Sequence, residues 1–131
     1  MREILFRGKE PVSGEWIFGD YHHTDDRTII YGDFMHDVDP DTVGQYTGKM
    51  DRKGIKIFEG DILVDPLREE DTRKFYVQWD EKCSRFLAVT IPLEKDPCEN
   101  RYIWYVSDDL NRNGLVIGNI TDTPELLEEN K

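Results

Sequence analysis

The side chains that could carry chemistry fall into a few groups. His22 and His23 lie beside Asp20, Asp25 and Asp26, and His36 lies between Asp33 and Asp37. Imidazoles among carboxylates suggest a divalent metal. Zinc, however, takes tetrahedral N and S ligands at disciplined spacing, and adjacent histidines at a strand end point to opposite faces. The pattern reads as a solvated turn, and neither a metal nor another cofactor is expected. Asp37, Asp39 and Asp41 alternate like the opening of a calcium loop, but the glycine and the closing glutamate of such a loop are not at the required places. Cys83 and Cys98 show neither a base nor an environment that would lower a thiol pKa, and their spacing leaves open whether they pair. No carboxylate pair, triad or phosphate loop stands out, so no catalytic residue is assigned and no enzyme is expected.

Lys49, Arg52, Lys53 and Lys56 gather around Gly54 and form the candidate contact surface. The chain around them is acidic: 131 residues carry a formal net charge of −11. Residues 1–42 hold 10 acidic and 4 basic side chains, residues 43–91 hold 9 of each, and residues 92–131 hold 9 and 4. A neutral middle is flanked by two acidic ends. Such a surface opposes phosphate backbones and anionic membranes, so a nucleic-acid partner is disfavoured and a soluble protein is expected. The basic cluster could instead meet an acidic end of a second copy, which would give head-to-tail self-association. Trp16, Trp79 and Trp104 could stack on bases, but burial in a small core is the ordinary use of such rings.

These groups must be positioned by short strands. The organising stretch is Val43 to Val64, which reads as a strand over 43–46, a polar reversal over 47–54, a strand over 55–58, a turn at Gly60-Asp61 and a strand over 62–64. Before it, residues 2–7, 15–21 and 27–31 read as a meander, with Gly19 marking a bulge or a close backbone approach. Residues 33–42 read as a loop or a single helical turn. After it, residues 74–79 and 85–91 form a hairpin with Phe75, Val77 and Trp79 on one face. Residues 101–106 and 115–121 are further strands. Thr123-Pro124 reads as an N-cap and first helical position for a short tail helix. Eight or nine short strands favour an all-β, mainly antiparallel barrel or sandwich. Gly44, Gly48, Gly54, Gly60 and Gly118 are expected to set turns and close approaches, and Trp16, Phe58, Trp79 and Ile117 to fill the core. No apolar run approaches the roughly 18 residues that span a bilayer, and residues 1–8 do not read as a signal peptide. A reducing cytoplasm is the expected setting.

The segments LFRGK, GEWIFGDY, VDPDTVGQYTGKMDRKGIKIFEGDIL, VQWDEKCSRF and VIGNITDTPELLEE, in that order, resemble the YopX family of small phage and prophage proteins. The resemblance covers nearly the whole chain. Its most specific pieces are the block from Gly44 to Ile62 and the terminal run from Val116 to Leu127. It implies a predominantly β protein with an SH3-like barrel, an oligomer, no enzymatic activity, and the cytoplasm of a bacterial host. The expectation is therefore one YopX-like domain over 1–131, with an N-terminal β lobe over about 1–42, a barrel-like lobe over about 43–131 and a short C-terminal helix. The expected function is a non-enzymatic accessory role through protein–protein binding. The alternatives are a nucleic-acid-associated module working through the 49–56 hairpin, and an acidic decoy for a host nucleic-acid-binding protein.

Overall fold

The computed structural model describes residues 3–64, 74–81, 84–91, 103–105 and 114–127. Cys83 and Cys98 lie outside the described residues, as does the side chain of Trp104. The chain divides into two compact units, Met1–Gly48 and Lys49–Lys131.

The first unit is an antiparallel meander. Its strands are β1 (Phe6–Lys9), β2 (Trp16–His23), β3 (Thr28–Tyr31) and β4 (Met35–Asp37), followed by β5 (Asp39–Met50), whose last two residues belong to the second unit. The order across the sheet is β4-β3-β2-β1-β5, and the next strand of the chain, which belongs to the second unit, pairs with β5 as the sixth. Ile29, Ile30 and Val38 are buried, the two adjacent isoleucines on opposite faces of β3. Residues 33–42 are not a loop or a helical turn: they supply β4 and the start of β5. Pro40 is tolerated because β5 bulges there. Arg7 faces Gly44 but Lys9 already faces Asp39, so the intervening residues of β5 leave the ladder. The Thr42 hydroxyl replaces the missing partner, accepting from Lys9 N at 2.8 Å and donating to the Asp39 carbonyl at 2.6 Å.

The second unit contains β6 (Lys56–Phe58), β7 (Asp61–Val64), β8 (Lys74–Asp80), β9 (Arg85–Ile91), β10 (Ile103–Tyr105) and β11 (Leu115–Asn119). Strand β6 follows β5 through a tight hairpin, and the remaining five form an antiparallel sheet in the order β10-β9-β8-β7-β11. The hairpin of β8 and β9 is the one read from the sequence. Ile57, Leu63, Phe75, Val77 and Ala88 form the core, with Phe86 and Val116 packed against it.

Three further expectations are corrected. There is no SH3-like barrel: among the described residues no sheet closes, because β10 and β11 end the five-stranded sheet at opposite edges. A barrel needs its first and last strands hydrogen-bonded to each other, whereas β11 returns to pair with β7. The short C-terminal helix is only a 3-10 turn over Pro124–Leu127. The Thr123 hydroxyl does not cap it but exchanges bonds with Asn119, donating to its carbonyl and accepting from its amide, both at 3.0 Å. The core is also filled differently. Phe58 is buried, but Trp16 is only half-buried, and Trp79 and Ile117 are 38% and 42% exposed. Trp79 lies where β8 runs into its turn, edge-on to Phe86 at 4.9 Å. Ile117 is the extra residue of a bulge, since Val116 and Gly118 face consecutive residues Leu63 and Ile62, and a bulged residue loses its place on the core face.

Asp51, only 5% exposed, holds the second unit's first turn. Its Oδ1 accepts from Lys53 N at 2.8 Å and Ile55 N at 2.9 Å, and its Oδ2 accepts from Val116 N at 3.0 Å. Main-chain bonds from Asp51 N to the Ile55 carbonyl (2.7 Å) and from Arg52 N to the Gly114 carbonyl (2.9 Å) complete the attachment. Gly54 takes the left-handed conformation (φ 82°) that the reversal requires. Replacing Asp51 by Ala leaves three amide donors without this acceptor, and a stability loss of about 2–4 kcal/mol is expected. Asp51→Asn keeps one carbonyl oxygen and should fall between Ala and wild type. Urea unfolding of the three proteins checks the order; an Ala variant as stable as wild type would show that the carboxylate is dispensable.

Candidate functional site

The first unit carries an open cleft of about 650 Å³ along β2 and the turn between β3 and β4. Its floor is main chain. Gly19 on β2 lies so close to the Tyr31 carbonyl that a β-carbon there would collide with it, and one on Gly32 would meet the Phe18 carbonyl at 2.9 Å. The close approach expected at Gly19 is therefore present, as backbone contact and not as a bulge, since the β1–β2 register is unbroken through Phe6 and Gly19. The turn is closed by Gly32 N donating to the Phe34 carbonyl at 3.1 Å.

Rings line the walls. Trp16 and Phe18 stand two residues apart on β2 and so share a face; Tyr31 and Phe34 approach from the turn. Phe34 is 75% exposed, and Phe18 and Tyr31 are also exposed. The Arg7 guanidinium sits 4.4 Å from the Trp16 ring centroid and Lys9 Nζ 5.5 Å from it, so that ring already attracts cations. Glu15 and Asp33, both exposed, place carboxylates on the rim. His36 closes one side. Its Nδ1 lies 2.9 Å from Glu10 Oε2, and its ring meets Phe34 edge-on at 6.4 Å. The hydrogen bonds from His36 and the Ser13 hydroxyl lower the Glu10 pKa below its ordinary value. An aromatic cleft rimmed by carboxylates suits a cationic group with an apolar stem, such as an Arg or Lys side chain.

The remaining sequence candidates are distributed as follows. His22 and His23 project to different neighbours: His22 stands edge-on to Tyr31, while His23 stacks on Tyr21 and lies 3.4 Å from the Thr28 hydroxyl. His36 is on another strand, and the three do not converge. Among the described residues no group of three acidic, His or Cys side chains could hold a metal. Asp37, Asp39 and Asp41 also diverge. Asp37 forms a two-pronged pair with Arg27, with Nε to Oδ1 and NH2 to Oδ2 both at 2.9 Å, and Asp39 Oδ1 accepts from Asp41 N. Lys49, Arg52, Lys53 and Lys56 do fall on one hairpin. Arg52 and Lys53 are exposed at its tip, and Lys49 and Lys56 are half-buried on its strands.

Residues 6–128 match the family model described as YopX protein. The chain belongs to the YopX family. The crystal structure of protein EF1440 from Enterococcus faecalis is similar to it, with 21% identity, a TM-score of 0.56 and an alignment covering 98% of this chain and 100% of that one. At that identity the likeness speaks for the fold alone. No curated protein matches the chain.

Sequence reasoning missed the cleft of this YopX family chain. The available signal was Phe34, a lone ring in an acidic segment directly after Gly32-Asp33. It also missed Asp51, although Asp followed three residues later by Gly is a turn signature.

The Arg27–Asp37 pair yields a pH test. The hydrogen bond and charge of Arg27 lower the Asp37 carboxyl below its ordinary value of 3.8. A carboxyl lowered in the fold contributes stability that is present above its unfolded value and lost as pH falls through its folded value. Wild type should therefore melt slightly above Asp37→Asn at pH 6, with the gap closing below about pH 4 and shrinking in high salt. A gap that persists unchanged at pH 2 would assign it to something other than ionisation.

Proposed function

We propose that this YopX family member is a non-enzymatic accessory protein of a phage or prophage, acting in the host cytoplasm by binding protein and associating with itself. The observation that carries the reading is the cleft. Exposed aromatic residues clustered on one surface, rimmed by charge, mark interaction sites more often than scattered apolar side chains do. The ionisable groups support binding over catalysis: Glu10 holds His36, Asp37 holds Arg27 and Asp51 holds backbone amides. Each of these carboxylates is engaged in stabilising a turn or strand.

The chemistry of the cleft points to a basic protein segment as ligand. A short fluorescent peptide rich in arginine is expected to bind at 50 mM salt, and the isosteric peptide with citrulline in place of arginine is not. Phe34→Ala should weaken binding about tenfold, in keeping with the loss of one ring contact to a cation. Fluorescence anisotropy titration measures both. Equal binding of the two peptides would remove the charge-recognition reading.

The exposed Arg52 and Lys53 bear on the nucleic-acid alternative. Two exposed cations on a chain of net charge −11 make a weak phosphate-binding surface. Mobility-shift titration with single- and double-stranded DNA and RNA at 50 mM salt is expected to show no complex, and a shift lost in Arg52→Glu would favour the alternative.

A further inference from the structure

The binding reading leaves the partner open, and two features of the molecule narrow it. The cleft of the first unit combines Phe18, Tyr31 and Phe34 with the carboxylates of Glu15 and Asp33. Residues 1–42 surrounding it carry a net charge of −6. The hairpin of the second unit has the opposite make-up. Arg52 and Lys53 are exposed at its tip, Lys49 and Lys56 flank them, and the acidic residue among them, Asp51, is buried with both oxygens committed to main-chain amides. The hairpin also exposes Met50 (43%) and Ile55 (49%) on either side of the tip.

We propose that the cleft is filled by the 49–56 hairpin of a second copy of this chain. This rests on the cleft being a site for a basic protein segment, and it adds the identity of that segment. Charge and apolarity match together: Arg52 and Lys53 meet the carboxylates and ring faces, while Met50 and Ile55 cover Phe18 and Phe34. Cation–aromatic and methionine–aromatic contacts are both favourable. The hairpin is preorganised, because Asp51 and the bond from Arg52 N to Gly114 hold the tip before any partner arrives, and a preformed ligand loses little entropy on binding. The two surfaces differ, so the contact is head-to-tail and every copy offers one of each. Such a contact closes into a ring or extends as a filament.

Charge-reversed variants test this directly. At 50 mM salt and 50 µM protein, the wild type is expected to show a mass above the monomer by light scattering, falling as salt is raised to 500 mM. The double variants Arg52→Glu/Lys53→Glu and Glu15→Lys/Asp33→Lys should each be folded by circular dichroism and monomeric. Mixing the two should restore the larger mass, because the reversed hairpin of one then matches the reversed cleft of the other while both native surfaces find each other. A merely misfolded variant would not be rescued in this way. A monomeric wild type at low salt, or variants that keep the wild-type mass, would overturn the proposal. If the wild type is monomeric while the arginine peptide still binds, the site for a basic segment stands and only its filling by a second copy fails; if the peptide also fails, both readings fall.

Discussion

A single buried carboxylate fixes the start of the second unit. Asp51 sits where β5 ends, and its two oxygens accept three backbone amides, two in its own turn and one on β11, 65 residues later in the chain. A buried carboxylate is costly unless its lone pairs are used. Here they are used on main chain, so the cost is offset and the result is a turn of defined shape joined to a distant strand. The second unit's local and non-local order therefore meet at one side chain. Asp61 plays a smaller version of the same part at the next reversal, where its buried Oδ2 accepts from Phe58 N at 2.7 Å.

The exposed surfaces follow from these anchors. A turn held from below can present Arg52 and Lys53 without relying on their own packing. The cleft of the first unit is built by a comparable economy of means: glycine at positions 19 and 32 lets backbone approach backbone, and the rings around them are left facing outward. On both surfaces apolar side chains stand exposed beside charge: Phe18, Tyr31 and Phe34 beside Glu15 and Asp33, and Met50 and Ile55 beside Arg52 and Lys53.

Much of the first layer of structure was legible. Alternation of apolar and polar residues located most strands, above all β8 and β9, and Gly54 and Gly60 marked reversals that do adopt positive φ. The acidic segment 33–42 was misread because strand alternation is weak there; it is extended because edge pairing, a bulge and the Thr42 hydroxyl together satisfy its backbone. Ile117 and Trp79 were misplaced for a different reason. Residue type says that a side chain is apolar, but a bulge or a strand end decides whether it reaches the core. The cleft went unseen because its walls come from β2 and the β3–β4 turn, which are set side by side only by the register of the β2–β3 pairing.

The amino-acid sequence alone determined the chemical character of this protein: antiparallel β-structure, membership of the YopX family, a neutral middle between acidic ends, and a basic reversal at 49–56. These are properties of local composition and spacing, and they survive any arrangement of the strands. Only the tertiary structure decided that no sheet closes among the described residues, that Asp51 is an anchor and not a surface charge, and that Phe34 and Phe18 line one cleft beside two close-packed glycines. Those outcomes depend on which strand edges meet and on which backbone donors lack partners, and such pairings are settled by the whole fold, since hydrogen-bonding groups are identical at every residue except proline.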